Sequence, residues 1–200
     1  MPKKATPQPI PSPPQTILNK ISNSAILNII KEKSIYIYGQ FPFGGKEHHY
    51  QAALETELRD CGFSVQQEVA RLFYYQKQTG SKKFQLPHDI RGREDLLLPD
   101  QRMIIELKQT AKLTDKEFNQ ICRYIETRRN YDADWNHTTR GLLINFGDSN
   151  LEIWYIFYDI VNQEDSEGHS KIKLTRVKLY DAPKPPITSF LETYDATNTA

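Results

Sequence analysis

Three charged residues lie close enough in the sequence to form a catalytic centre: Asp95, Glu106 and Lys108. Glu106 and Lys108 interrupt the segment IIELK, residues 104–108, whose other members are apolar and typical of a buried strand. Side chains alternate along a strand, so Glu106 and Lys108 share one face. Charged side chains are seldom buried without partners, so this face carries either an ion-pair network or a functional site.

The turn PDQR, residues 99–102, predicts which residue faces which. A hairpin loop centred there places Asp95 opposite Glu106 and Arg93 opposite Lys108. Two opposed carboxylates repel each other unless a positive charge lies between them, and Mg²⁺ prefers carboxylate oxygens. From the spacing alone, a metal site and a structural Asp–Arg–Glu–Lys network on a half-exposed sheet are both open.

Hydrophobic periodicity predicts the elements that position these residues. Helical spacing predicts helices over residues 16–33, 46–62 and 113–129. Residues 34–45 alternate briefly and then break into a glycine loop. Strands are predicted over residues 63–77, 84–98, 102–110, 140–147, 151–161 and 171–180. This order predicts an α/β fold with a mixed sheet and helices packed on it.

Composition restricts the possible classes of protein. The net charge of +1 excludes a strongly basic surface over the whole molecule, so a nucleic-acid partner needs a local patch. The two cysteines lack metal-ligand spacing, which excludes a zinc site or a disulfide framework. The most apolar segment, residues 151–161, is about half as long as a bilayer span, and a soluble intracellular protein is expected.

The distribution of prolines indicates the domain boundaries. Six of the twelve prolines fall within residues 1–14. Residues 1–15 are therefore predicted to form a disordered proline-rich tail, which could bind a protein partner. One domain is expected over residues 16–180, followed by a loosely ordered tail over residues 181–200.

The charged constellation resembles a known signature. Asp95 followed after ten residues by Glu106-Leu107-Lys108 resembles the D…(D/E)-x-K pattern of the PD-(D/E)XK nuclease superfamily. Glu94 stands where the superfamily name has proline, a departure that is not expected to affect the chemistry.

Three further motifs run in the same order as in that superfamily. Residues 44–50 fit the G-x-x-E-x-x-Y of the GxxExxY proteins. Residues 120–124 fit the Q-x-x-x-Y of the following helix, and residues 141–147 are similar to the G-L-L-I-N-F-G strand. The resemblance implies a restriction-endonuclease-like fold with an αβββαβ core, a central mixed sheet flanked by helices, and extra C-terminal strands.

The resemblance also implies a ligand set for Mg²⁺ or Mn²⁺. Asp95, Glu106 and the main-chain carbonyl of Leu107 would hold the metal. Glu47 would reach it from the predicted helix over residues 46–62, directly or through a water molecule.

Three other residues would complete the site. By the same resemblance, Lys108 would stabilise or orient the attacking water, and Gln120 and Tyr124 would support the site from the predicted helix over residues 113–129. A metal lowers the pKa of its bound water, and a neighbouring lysine adds fixed positive charge.

The implied function is a divalent-metal-dependent nuclease that acts on DNA rather than RNA, and that could form a homodimer. Two alternatives stay open: a catalytically silent nucleic-acid-binding or assembly protein of the same fold, and a structural module that uses the proline-rich tail. Basic residues on or near the predicted helix over residues 113–129, and on the last predicted strand, are candidates to contact phosphates. A solvated face is the simpler interpretation for each of them alone. They are Lys112, Arg123, Arg128, Arg129, Lys171 and Lys173.

Overall fold

The computed structural model describes residues 23–41, 44–79, 82–132, 135, 138–164 and 170–184, which form three helices and six strands. The elements are α1 (Asn23–Gln40), α2 (Glu47–Asp60), β1 (Gln66–Thr79), β2 (Lys82–Leu98), β3 (Met103–Lys108), α3 (Asp115–Tyr131), β4 (Arg140–Phe146), β5 (Asn150–Glu164) and β6 (Ser170–Pro183). The predicted tail over residues 1–15 lies outside the described residues. Strand β6 continues to Pro183, past the predicted end of the domain, and residues 185–200 are outside the description.

The six strands form one sheet in the order β1-β2-β3-β4-β5-β6. Strands β3 and β4 pair in parallel, and the other neighbours pair antiparallel. Parallel neighbours need a long crossover, which here contains α3, whereas antiparallel neighbours need only a tight turn. The predicted mixed sheet with flanking helices is therefore confirmed.

The helices cover both faces of the sheet. Helices α1 and α2 pack on one face in a cluster that includes Leu54, Ile105 and Leu107. Helix α3 packs on the other face, where Ile121 lies in one cluster with Ile104. Strand β3 is buried on both sides by this arrangement, apart from the partly exposed Lys108 at its end.

The register of the β2–β3 hairpin is the one that the PDQR turn predicts. Leu98 pairs with Met103 and Leu96 pairs with Ile105, and the ladder then stops. Asp95 and Glu106 are the next residues in this register, so they flank the point where the two strands separate.

Helix α1 ends later than its prediction. It spans Asn23–Gln40, so residues 34–40 are helical rather than extended, and residues 16–22 of the predicted helix lie outside the described part of the chain. Ile30, Ser34 and Ile37 are buried on one side, whereas Tyr36 is 53% exposed. The short alternation of isoleucine and tyrosine therefore fits one face of a helix as well as it fits a strand.

Two hairpins continue beyond the sheet from its opposite ends. Strands β1 and β2 pair with each other as far as Thr79 and Lys82, past the end of β3 that carries Lys108. Strands β5 and β6 continue past the pairing of Arg140 with Phe157, at the start of β4. We call residues 72–92 the ribbon and residues 158–174 the distal arm.

Candidate active site

Asp95, Glu106 and Lys108 are brought together where β2 and β3 separate. The Lys108 ammonium donates a hydrogen bond to Glu106 Oε1 at 2.7 Å. The Leu107 main-chain N–H donates to Asp95 Oδ2 at 2.7 Å. Glu106 is fully buried. The Asp95 carboxylate is thus tied to the strand that carries the other two groups.

Helix α3 contributes the next pair of side chains. Gln120 Nε2 donates to Glu106 Oε1 and also to the Tyr124 hydroxyl, the latter at 3.3 Å. The helix begins at the predicted capping box, in which Glu117 Oε2 accepts from the Thr114 main-chain N–H at 2.9 Å. The Q-x-x-x-Y spacing places Gln120 and Tyr124 on the same helix face, one turn apart.

Glu47 approaches from the other face of the sheet as the first residue of α2. Burial is the main cause of the raised pKa of Asp95 and of Glu106, and the Glu47 carboxylate adds a smaller increase to each through space. The start of the helix is fixed by neighbouring residues: Gly44 has φ +82°, and the Gly45 N–H donates to the Tyr50 hydroxyl at 3.1 Å. The glycines and the tyrosine of the G-x-x-E-x-x-Y motif therefore hold the turn that presents Glu47.

The electrostatics of the centre oppose full ionisation of the carboxyl groups. Burial raises the pKa of Glu106 to about 8, and the Asp95 charge adds to the increase. Burial also raises the pKa of Asp95 to about 6, against the hydrogen bond from Leu107. Burial lowers the pKa of Lys108, but the neighbouring carboxylates, Glu106 first, outweigh it and the pKa is raised overall. Lys108 is therefore a fixed ammonium at neutral pH.

The residues present fit a divalent cation. Glu106 Oε2 is buried and has no hydrogen-bond partner, so it is an acceptor that lacks a positive group. Within the described part of the chain, no three His, Cys, Asp or Glu side chains form a metal site by themselves. Mg²⁺ is commonly held by one or two carboxylates and completes its shell with waters and substrate oxygens. The pair Asp95 and Glu106 satisfies that requirement.

Two polar residues that sequence reasoning missed hold the backbone of the site. Gln51 on α2 donates from Nε2 to the Asp95 main-chain carbonyl and to Glu68, both at 3.0 Å. Asn145 on β4 makes a two-way bond with the Thr110 main chain, at 2.9 Å in each direction. Asn145 fixes the chain just after Lys108. Its place in G-L-L-I-N-F-G, as a polar residue in a buried strand, was the available signal.

Glu94 has a larger role than its sequence position suggested. It is fully buried and accepts hydrogen bonds from Arg71 on β1 and from Arg128 on α3. Both arginines also bond to Asp132 just after α3, at 2.8 and 2.9 Å. We call these four residues the basal ion cluster. Arg128 is only 4% exposed and is held in this cluster, and its phosphate contact stays a prediction.

Strand alternation is interrupted next to Asp95. Leu97 packs in the α3-side cluster and Leu96 in the opposite one, yet Glu94 reaches α3. Strict alternation would send Glu94 to the α2 side. Opposite Asp95 on β1, Glu68 has φ +50°, a left-handed conformation that is uncommon outside glycine. The irregularity places Asp95 toward the β3 main chain.

The other predicted phosphate contacts lie in different places. Lys112 is exposed in the loop after β3, and Arg123 is exposed on α3. The Arg129 guanidinium lies over the Tyr158 ring, 4.6 Å from its centroid. Lys171 and Lys173 lie on β6 in the distal arm, at the opposite end of the sheet from Lys108.

Comparison with protein families matches residues 24–154 to the PD-(D/E)XK nuclease superfamily. The chain belongs to the PD-(D/E)XK nuclease superfamily. Membership suggests hydrolysis of phosphodiester bonds in nucleic acid, although members of the superfamily can be inactive. Its nucleases generally use divalent metals such as Mg²⁺. The match does not extend to the GxxExxY proteins in particular, and that narrower resemblance stays a prediction.

Searches of curated proteins and of solved structures found no match. The described helices include none that is long and apolar enough to cross a membrane.

Proposed function

We propose that the chain is a Mg²⁺- or Mn²⁺-dependent nuclease that hydrolyses phosphodiester bonds in DNA. The observation that carries the proposal is the convergence of Asp95, Glu106 and Lys108 around a buried Glu106 oxygen that has no partner. Superfamily membership supports the reaction class, and the acid–acid–lysine set is complete in this chain.

Asp95 and Glu106 would hold the cation together with the Leu107 carbonyl, and Glu47 would complete its shell directly or through water. When bound, such a cation lowers the pKa of a coordinated water and neutralises negative charge on the phosphate. Asp95 is already oriented by the Leu107 N–H, so little rearrangement is required of it.

Lys108 would provide fixed positive charge beside the scissile phosphate and help orient the attacking water. Its raised pKa makes it a poor base at neutral pH, so this role is electrostatic. Gln120 and Tyr124 would hold Glu106 in place from α3, since Gln120 donates to both of them. These are positioning roles.

The test compares Asp95→Asn and Lys108→Met with Asp100→Asn, a matched control at an exposed residue of the 99–102 turn. Cleavage of labelled double-stranded DNA in Mg²⁺ should fall by about two to three orders of magnitude in the first two variants and stay unchanged in the control. Circular dichroism would verify that all three fold. Equal cleavage by Asp95→Asn and the parent would contradict the assignment.

The choice of substrate and metal is tested on the parent protein. Single- and double-stranded DNA and RNA are incubated with Mg²⁺, Mn²⁺ or EDTA, and cleavage of DNA that EDTA abolishes is expected. Binding without cleavage under every metal condition would favour the catalytically silent alternative. The GxxExxY assignment, the intracellular location, the homodimer and a protein partner for residues 1–15 stay predictions.

A further inference from the structure

Residues 72–92, the ribbon, leave the sheet at the same end as the candidate active site. Strand β2 pairs with β3 only as far as Leu96, whereas its pairing with β1 continues to Lys82. The ribbon therefore begins beside Asp95 and extends on the order of 35 Å beyond it, at about 3.3 Å per residue. A long two-stranded projection whose root carries a catalytic carboxylate needs an explanation beyond the stability of the core.

The charge of the ribbon differs from that of the rest of the molecule. The ribbon contains Lys77, Lys82, Lys83 and Arg91 against the single acid Asp89, a net charge of +3 in a chain of net charge +1. Lys82 and Lys83 lie at its tip, paired in register with Thr79 and Gln78. The local basic patch that a nearly neutral protein needs in order to bind nucleic acid is thus in this element.

The distal arm provides an internal comparison. It is also an extension of two antiparallel strands, but it leaves the opposite end of the sheet and carries four acids against Lys171 and Lys173, a net charge of −2. The two projecting hairpins therefore differ in charge. The ribbon, which is positive, lies at the end of the sheet that carries Asp95, Glu106 and Lys108.

The root of the ribbon is fixed relative to the site. Arg71 on β1 and Glu94 on β2 are joined to Arg128 and Asp132 through the basal ion cluster, and Arg128 and Glu94 are buried. Gln51 bonds to the Asp95 carbonyl and to Glu68 at the same level. These bonds tie the residues next to the root of the ribbon to α2 and α3, and the register between β1 and β2 then shifts between Leu72 and Phe73.

We propose that the ribbon is the DNA-binding element, lying against a duplex whose scissile phosphate is at Asp95, Glu106 and Lys108. The inference rests on the proposed function and identifies the substrate form as duplex DNA. The major groove of B-DNA admits a two-stranded ribbon, and the length of the ribbon is close to one helical turn of about 34–36 Å. The deep, narrow major groove of A-form RNA does not admit such an element.

The test is a matched pair of double variants. Lys82→Gln/Lys83→Gln removes two charges from the ribbon, and Lys171→Gln/Lys173→Gln removes two from the distal arm. Binding to a fluorescent 30-base-pair duplex is measured by anisotropy in EDTA, where metal-dependent cleavage is stopped. The ribbon variant should bind roughly tenfold more weakly near 0.1 M salt, and its slope of log K against log salt should be smaller by about two. The distal-arm variant should match the parent, because Lys171 and Lys173 lie at the opposite end of the sheet from Lys108. Weakening in that variant alone would instead support the phosphate contacts predicted for these two lysines from the sequence, and would overturn the ribbon inference.

Cleavage in Mg²⁺ separates this inference from the proposed function. The ribbon variant should raise KM and leave kcat unchanged at saturating duplex, because Asp95, Glu106 and Lys108 are intact. A parent that binds duplex through the ribbon but never cleaves it would defeat the nuclease proposal and leave the ribbon inference standing.

Four outcomes would overturn the ribbon inference. They are no duplex binding by the parent, equal weakening in both double variants, tighter binding of RNA than of duplex DNA, and unchanged duplex affinity in the ribbon variant. If the ribbon variant with unchanged affinity also loses a dimer seen for the parent, the ribbon is reassigned as a self-association arm.

Discussion

The pKa of Glu106 gives a prediction at the scale of single residues. Its value in the folded protein is about 8, above the usual value of 4.5, so between these pH values the folded state binds more protons than the unfolded state. Without metal, the free energy of unfolding should therefore fall as pH rises through this window. Thermal melts in EDTA should show Tm several degrees lower at pH 8.5 than at pH 5.5.

The same melts test the metal. Mg²⁺ competes with the proton for the same carboxylates, so its stabilising effect should be larger at pH 8.5 than at pH 5.5. In Glu106→Gln both the pH dependence in EDTA and the Mg²⁺ effect should shrink. A Tm that rises with pH in EDTA for the parent, or an undiminished Mg²⁺ shift in the variant, would contradict the assigned ligand.

Glu94 gives a second prediction at this scale. Glu94→Gln leaves the Arg71 and Arg128 guanidinium groups beside each other with one carboxylate fewer, in a buried place. We expect a loss of about 3 kcal/mol in the free energy of unfolding, measured by urea denaturation. The control is Glu55→Gln, which breaks a partly exposed i, i+4 pair with Arg59 and should cost about 0.5 kcal/mol. Similar losses of unfolding free energy in the two variants would show that the basal ion cluster stabilises the fold no more than an exposed ion pair does.

At the scale of elements, two glycines of the β4 motif should respond differently to substitution. A Cβ on Gly147 would lie 2.8 Å from the Thr110 carbonyl and 3.0 Å from the Asn150 carbonyl, both main-chain atoms. A Cβ on Gly141 would meet the ends of the Ile121 and Ile125 side chains at 2.7 and 2.9 Å. Side-chain ends can move more easily than a backbone that is bonded to Asn145.

Gly147→Ala should therefore destabilise the protein by about 2–3 kcal/mol and Gly141→Ala by about 1 kcal/mol, measured by urea denaturation. Gly147→Ala should also lower cleavage, since it displaces the chain that follows Lys108. The reverse order of stabilities would contradict this account of the β4 packing.

Local signals explain what the sequence predicted about the elements. The PDQR turn determines the β2–β3 register because proline fixes the loop, and the Thr114–Glu117 box marks the start of α3 because both bonds lie within four residues. The position of Asp95 across from Glu106 follows from that one register, whereas the direction of the Asp95 side chain also depends on the irregularity beside it. By contrast, the partner of Glu94 is Arg128, on a helix 34 residues away, and no local pattern encodes that contact. The sequence does not identify residues 34–40 as the end of α1, because their alternation of isoleucine and tyrosine fits either a strand or one face of a helix.

At the scale of the whole molecule, the ribbon should be dispensable for folding. Beyond the pairing of Leu72 with Arg91, strands β1 and β2 are hydrogen-bonded only to each other among the described residues. Replacing residues 73–90 with Asn-Gly, a two-residue hairpin turn, should change Tm by only a few degrees. Duplex affinity should fall at least as far as in the double lysine variant. Loss of cooperative melting in the shortened chain would contradict this division of the molecule.

The chain order of the site has a consequence for how the molecule folds. Apart from Glu47, every proposed site residue lies within residues 95–124, a segment joined by one tight turn and one crossover loop. Closing short loops costs little chain entropy, so Asp95 and Glu106 can come together early in folding. Glu47 joins them only when α2 docks from across the sheet. The site should therefore assemble in two stages, and its last ligand should arrive from the earliest part of the sequence.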